Sequence, residues 1–441
     1  MSKEQIKTGE AVPAIPTTFW GYIKSFGPGL VVVLTWLGAG DLVNSATAGS
    51  NYGYALMWGL ALSLLFRYFI VDVIARYHLC NQHGETVISA FKRIHPIVPI
   101  LLGIAVFAFG HIYSSYMIKG IGEATHYLVY GFGPSWLWSL FWVSVIGILV
   151  FSGRFDRVQK VFYATLALLT LSLIGIAIYS GPDVVGIARG TFLFEIPEDQ
   201  GSFSALLIIV SLVGAVAGSV ANLLYPYFMQ QKGWSGPKYR KVQRYDLLFG
   251  IIIIIVLDLA VWVVGAELLH PKGLTISSID DLANLLVIAL GKAGGVIFYV
   301  GVLAALFNAL SGAAMGYSYL LVDIIHKIKT DEKLPIDKDK VGKMTSYKAF
   351  VLWCLVSPLI WLVPGMPDFI TMTVLGNAAS AVLFPVISLA LWYITATPKF
   401  IGRDFTNKWW ENVIIAILVI VGFVMSYYSI VQIAEKVLQL I

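Results

Sequence analysis

Eleven apolar runs, separated by short polar stretches, limit what this 441-residue chain can fold into. They fall near 27–50, 52–79, 97–128, 134–151, 158–180, 203–231, 245–269, 292–326, 347–363, 368–396 and 411–437. A transmembrane helix needs roughly 20 predominantly apolar residues, with a range of about 17–25, and every run reaches at least the lower end of that range. The two that begin near 97 and 292 are the longest, which predicts tilt or projection beyond the bilayer. Composition removes the alternatives. Only 12% of the residues are charged and 58% are hydrophobic, whereas a soluble domain carries about 25% charged residues. So little charge cannot cover a water-facing surface of this size. A soluble enzyme, a disordered chain and a nucleic-acid binder are therefore excluded. No nucleophile triad, zinc-protease helix or phosphate-binding loop pattern is present either. The chain reads as an all-α polytopic membrane protein, not an enzyme. Its surroundings are the lipid bilayer, and no obligate protein partner is evident.

The 30 basic residues orient the spans. Lysines and arginines concentrate in cytosolic loops. Here 24 of the 30 fall in the amino-terminal segment and in alternate loops, from Lys3, Lys7 and Lys24 through Arg154 and Arg157 to Lys399, Arg403 and Lys408. The densest cluster runs from Lys327 to Lys348. The opposite side has only Arg189, Lys272, Lys292 and Lys436. The expected topology has a cytosolic amino-terminal tail over 1–26, one transmembrane domain over 27–441, and an external carboxyl terminus. The expected location is the plasma (cell inner) membrane. The outer loops carry Asp183, Glu195, Glu198 and Asp199, and further on Asp280 and Asp281. That acid raises the local cation concentration or is merely solvated. Cys80 and Cys354 form no CxxC pair and read as small apolar residues.

Two runs contain helix-breaking composition mid-span. The first is Trp36 to Asn44, with Gly38, Gly40, Asp41 and Asn44. The second is Gly214 to Asn222, with Gly218, Ser219 and, one turn on, Pro226. Irregular backbone survives in a membrane only where it lines a cavity or is buried in protein. Breaks at corresponding positions of two halves point to a midplane transport site. Asp41 is the key residue, because a charge at the bilayer centre costs about 2.5–3.5 kcal/mol on insertion scales. It is either a cation ligand or one member of an ion pair with Lys119 or Arg67. Asn44 follows on the same helical face, and Asn222 and Asn377 offer amide oxygens. Carboxylate, amide and carbonyl oxygens suit hard cations. Asp72 lies five positions after Arg67, and Glu123 four after Lys119. Both acids read as structural helix partners.

At the first span the sequence resembles the NRAMP family of divalent metal transporters. Phe26-Gly27-Pro28-Gly29 is similar to that family's entry into the helix, and Ala48-Gly49-Ser50-Asn51-Tyr52-Gly53-Tyr54 to its exit. The resemblance implies a LeuT-like fold of 11 transmembrane helices. Helices 1–5 (27–181) and 6–10 (202–397) would form inverted repeats, with an extra helix over 411–437. Helices 1 and 6 would be broken mid-membrane. It also marks departures. The family's helix 1 motif is Asp-Pro-Gly-Asn, where this chain has Gly38-Ala39-Gly40-Asp41. Its helix 6 motif is Met-Pro-His-Asn, where this chain has Ser219-Val220-Ala221-Asn222, with Gly218 the alternative first position. The family's second helix 6 His falls near Pro226, and its helix 3 acids near Ser115 and Ile118. The carboxylate is displaced by three residues, the thioether is missing from the motif, and the titratable relay is gone. The pattern resembles the NRAMP-related magnesium transporter branch. The expected cargo is partly hydrated Mg2+, with Mn2+ also accepted, moved by alternating access without proton coupling. No resident cofactor is implied. The expected metal site is Asp41, Asn44, Gly38, Gly218, Ser219, Asn222 and Asn377. A proton-coupled Mn2+ or Fe2+ transporter and an amino acid transporter on the same fold stay open. Against the last, Asp41 would repel a substrate carboxylate.

Overall fold

The computed structural model describes residues 15–27, 39–152 and 155–440. Almost all of it is helical, because every apolar run must satisfy its backbone internally. Nine of the described helices are long and apolar enough to cross a membrane. Counting the pair Ala164–Tyr179 and Val184–Phe192, bent by 106°, as one span makes ten. The first apolar run supplies α1 (Ala39–Tyr52). Its beginning, with Gly38, lies outside the described residues.

The remaining spans follow the apolar runs closely. They are α2 (Met57–Cys80), α3 (Ile97–Leu128), α4 (Ser135–Ser152) and α5 (Phe155–Tyr179). Then come α6a (Ala205–Val216) and α6b (Tyr225–Gln231), α7 (Arg240–Val264) and α8 (Ile279–Lys329). The last are α9 (Thr345–Val356), α10a (Phe369–Ser380), α10b (Phe384–Ala396) and α11 (Trp409–Leu440). The largest difference from the sequence reading is in α8, which starts well before 292. Ser278 caps its start, accepting from the Asp281 backbone N–H, while the Asp281 carboxylate accepts from the Ser278 backbone N–H. This reciprocal arrangement builds an outer helix from a stretch that had read as a solvated acidic loop. Gly291, with φ of 60°, turns that outer helix into the span.

The junction after α1 has a packing reason for each of its residues. A Cβ on Gly49 would lie 2.4 Å from the Trp262 carbonyl oxygen, so only glycine lets α1 meet α7 backbone to backbone. The Asn51 side chain accepts from the Ile276 N–H at 3.0 Å. The Tyr52 hydroxyl donates to Phe203 O. Gly53, at φ of 58°, makes the turn into α2. At the opposite end, Asp72 differs from its expected partner. It takes Arg240 through both carboxylate oxygens, at 2.7 and 2.5 Å, with Arg244 at 3.8 Å. Lys119 likewise donates to the carbonyls of Trp361 and Met366 rather than to Glu123. Both cysteines are free and buried.

Candidate functional site

The break in α6 occupies Ala217 to Ser219, between the end of α6a and a 3-10 turn over Val220–Leu224. A helix end leaves carbonyls without intrahelical partners, and a buried one must find others. Here two side chains supply them. Arg67, from α2, donates from Nε to Val216 O at 2.8 Å and from Nη2 to Ala215 O at 2.9 Å. Asn222 reaches back from Nδ2 to Val216 O and Ala217 O, both at 3.2 Å. That leaves Asn222 Oδ1 buried without a hydrogen-bond partner.

The neighbouring elements come very close. A Cβ on Gly214 would sit 2.0 Å from the Asn377 carbonyl oxygen, and one on Gly218 would sit 2.7 Å from Ser380 O. These glycines let α10a lie directly against the break. Asn44 accepts from the Ser211 hydroxyl at 2.8 Å, tying α1 to α6a. The Tyr113 hydroxyl and Ser380 Oγ are hydrogen-bonded, tying α3 to α10a.

Asp41 lies in the first turn of α1, 4% exposed, with Arg67 Nη1 3.8 Å from its Oδ2. That separation is an ion pair but too long for a hydrogen bond, and Oδ2 has no hydrogen-bond partner. Between the two reading options for Asp41, the ion pair with Arg67 is therefore present. Both groups border a cavity of about 50 Å³, room for about three or four water-sized groups. Gly40, Ala215, Ser219, Ala221, Asn377, Tyr113, Tyr116, Met117 and Tyr317 complete its wall. The Asn377 Nδ2 is buried and unpartnered. Asp258, on α7, is 2% exposed, has an unpartnered Oδ2, and interacts electrostatically with Asp41 and Arg67.

Of the seven expected site residues, three line this cavity: Asp41, Ser219 and Asn377. Gly218 packs against α10a beside it, while Asn44 and Asn222 brace the two half-helices from behind. Gly38 lies outside the described residues. Between Gly218 and Ser219, the side chain at the cavity is Ser219. Reasoning from the breaks missed the wall contributed by α3. Tyr113, Tyr116 and Met117 fall at i, i+3 and i+4, one face of a helix, so a methionine lines the cavity from a helix outside both motifs. Among the described residues, no group of three His, Cys, Asp or Glu side chains is arranged to hold a metal. The polar groups are one carboxylate, one amide, the Ser219 hydroxyl and three tyrosines, with a guanidinium among them.

This geometry has known relatives. The family model described as natural resistance-associated macrophage protein-like matches residues 29–432. The chain belongs to the Nramp family. One relative, the divalent metal cation transporter MntH of Bacillus subtilis (strain 168), is 22% identical, with 91% of each chain covered. The structure of an Eremococcus coleocola manganese transporter, in complex with an aromatic bis-isothiourea substituted compound, superposes with a TM-score of 0.76. It is 15% identical and covers 99% of this Nramp chain and 91% of its own. The inward-facing conformation of Mhp1 matches more distantly, with a TM-score of 0.54, 16% identity, and 92% and 88% coverage. These likenesses establish a LeuT-like fold for the Nramp chain and a polytopic membrane protein.

Proposed function

We propose that the chain is a divalent cation transporter that imports partly hydrated Mg2+, accepting Mn2+, across the plasma membrane by alternating access. The observation that carries this reading is the placement of Asp41, Ser219 and Asn377 around one buried cavity at the α6 break, in a chain of the Nramp family. These are hard oxygen donors. Mg2+ dehydrates reluctantly and is usually held by one or two carboxylates plus several waters, so a cavity with a single carboxylate suits it. The amino terminus faces the cytosol and the carboxyl terminus faces outward, as the basic loops direct. Inward transport needs no proton. One charge is worth about 2.3 kcal/mol per 100 mV, hence about 4.6 for a divalent ion, enough for roughly a 10³-fold gradient. In proteoliposomes under an inside-negative potassium diffusion potential, Mg2+ uptake is expected with no accompanying internal acidification. Acidification that tracks Mg2+ entry would overturn the uncoupled mechanism.

Met117 favours a second reading, a proton-coupled Mn2+ or Fe2+ transporter, because a thioether on the wall prefers softer ions. Calorimetry with Mg2+, Mn2+ and Cd2+ separates the two. In the Mg2+ reading Cd2+ binds no tighter than Mg2+, and Met117→Leu changes nothing. Tight Cd2+ binding that drops about tenfold or more in Met117→Leu would select the second.

A further inference from the structure

A half-helix that follows a break is held by what grips it from the sides, and two buried tyrosines grip α6b. Tyr225 donates its hydroxyl to Asp246 Oδ2 on α7 at 3.0 Å, while Asp246 Oδ1 accepts the Gly27 backbone N–H at 2.9 Å. The same end of α7 is fixed to α2 through Arg240 and Asp72. This side therefore ties α6b, the entry to the first span, α7 and α2 into one body. Tyr227 stands two positions on, about 200° around the helix, and donates to Asp323 Oδ2 on α8 at 2.7 Å. Tyr227 is 5% exposed and Asp323 0%. Their bond lies beyond the cavity on both helices that it joins. Ala221 and Tyr317 line the cavity, and Tyr227 and Asp323 each follow by six residues, about 9 Å along α8. Leu224 closes the space between, since a Cβ on Gly316 would lie 2.8 Å from its Cδ1. Both helices then run on into the basic stretches that begin at Lys232 and Lys327.

Asp323 keeps its other partners if Tyr227 leaves. Its Oδ1 accepts the Ile336 backbone N–H at 3.1 Å and faces Lys327 Nζ at 3.5 Å. Lys327, 1% exposed, is itself anchored by donating to Leu334 O at 2.6 Å. Hydroxyl, backbone N–H and ammonium all act as donors here, so the carboxylate is in its ionised, acceptor-only form. Breaking a buried pair is costly when it strands a charge, and parting from Tyr227 strands none. We propose that Tyr227 and Asp323 form a reversible latch. It holds the cavity closed toward the face with the basic loops, and separation of α6b from α8 at this bond opens the cavity there. Both are positioning residues, acting on α6b and not on the cargo. The latch rests on the alternating access proposed above, and is independent of which cation is carried.

The test is a pulsed electron-spin distance measurement on the full-length protein in lipid nanodiscs, with no divalent cation added. Spin labels are placed at Gln230→Cys on α6b and Ile325→Cys on α8, both exposed positions. The two buried native cysteines are removed as Cys80→Ala and Cys354→Ala. With the latch intact, one short distance is expected to dominate. Tyr227→Phe removes a single hydroxyl and is expected to raise the ratio of a longer distance to the short one by about tenfold, as loss of a hydrogen bond to a charged group would. Tyr225→Phe removes a hydroxyl of the same kind from the α7 side and is expected to leave the α6b–α8 distances unchanged. That control separates a latch from general loosening of the half-helix. An unchanged distribution in Tyr227→Phe overturns the proposal, and so does an equal shift in Tyr225→Phe. A protein that opens as expected in Tyr227→Phe yet takes up no Mg2+ as wild type would overturn the Mg2+ reading and leave the latch standing.

Discussion

Asp41→Asn is expected to lower the initial rate of Mg2+ uptake in proteoliposomes by about 100-fold or more. Truncating one member of a buried charge pair costs about 2–5 kcal/mol, and each 1.4 kcal/mol is tenfold in affinity. Asparagine keeps the shape of the side chain and one carbonyl oxygen, so the loss reports on charge rather than on volume. The same change also affects folding. Asp41 is the group Arg67 faces at 3.8 Å, and breaking a buried pair from one side costs about 3–5 kcal/mol by leaving the other charge uncompensated. A lowered melting temperature is therefore expected in Asp41→Asn. The double variant Asp41→Asn with Arg67→Gln removes both charges and should recover part of that stability. Uptake should stay lost in the double variant. If uptake returned together with stability, Asp41 would be a structural counter-ion and the cation site would have to lie elsewhere. Near-normal uptake by the single variant would have the same consequence.

The spans and the α6 break were legible because both are local properties. A run of apolar residues declares itself, and Gly214, Gly218, Ser219 and Pro226 within a few turns declare an interruption. Asp41 was legible for a related reason: a lone carboxylate in an apolar run is expensive wherever it ends up. The pairing of charges was a different matter. Sequence spacing offers only neighbours on one helix, and those rules joined Asp72 to Arg67 and Glu123 to Lys119. In the structure Arg67 crosses from α2 to Asp41 on α1, and Asp72 goes to Arg240 on α7. No periodicity encodes which helices are adjacent, so the sequence offered Arg67 to Asp41 only as one of two candidate bases, and no count of residues would have found Arg240 for Asp72. Met117 was hidden in the same way, because the search for a thioether was confined to the two breaks. The helix opening α8 was readable in principle. Ser278 and Asp281 stand three apart, as a capping pair does, but their neighbouring acids suggested a loop.

Gly214→Ala is the substitution expected to damage the protein most for its size. The added methyl would sit 2.0 Å from the Asn377 carbonyl oxygen and 3.1 Å from Ala381 N. Both are backbone atoms in the middle of α10, so no side chain can swing aside. Either α6a and α10a separate or the interruption between α10a and α10b shifts, and Asn377 moves with it. Overpacking of this kind costs about 1–3 kcal/mol, occasionally more. The expected result is a lower melting temperature together with loss of uptake, since the cavity wall carrying Asn377 is displaced. Gly175, on α5, provides the control. A Cβ there meets nothing within 4 Å, and its helical backbone suits alanine. Gly175→Ala is expected to leave uptake unchanged and to stabilise the helix by up to about 1 kcal/mol, the difference in helix propensity. The comparison isolates close approach from helix propensity, because propensity favours alanine at both sites and only the contact differs. Equal tolerance of the two substitutions would mean that α10a does not need to touch the α6 break, and the geometry by which Asn377 reaches the cavity would have to be redrawn.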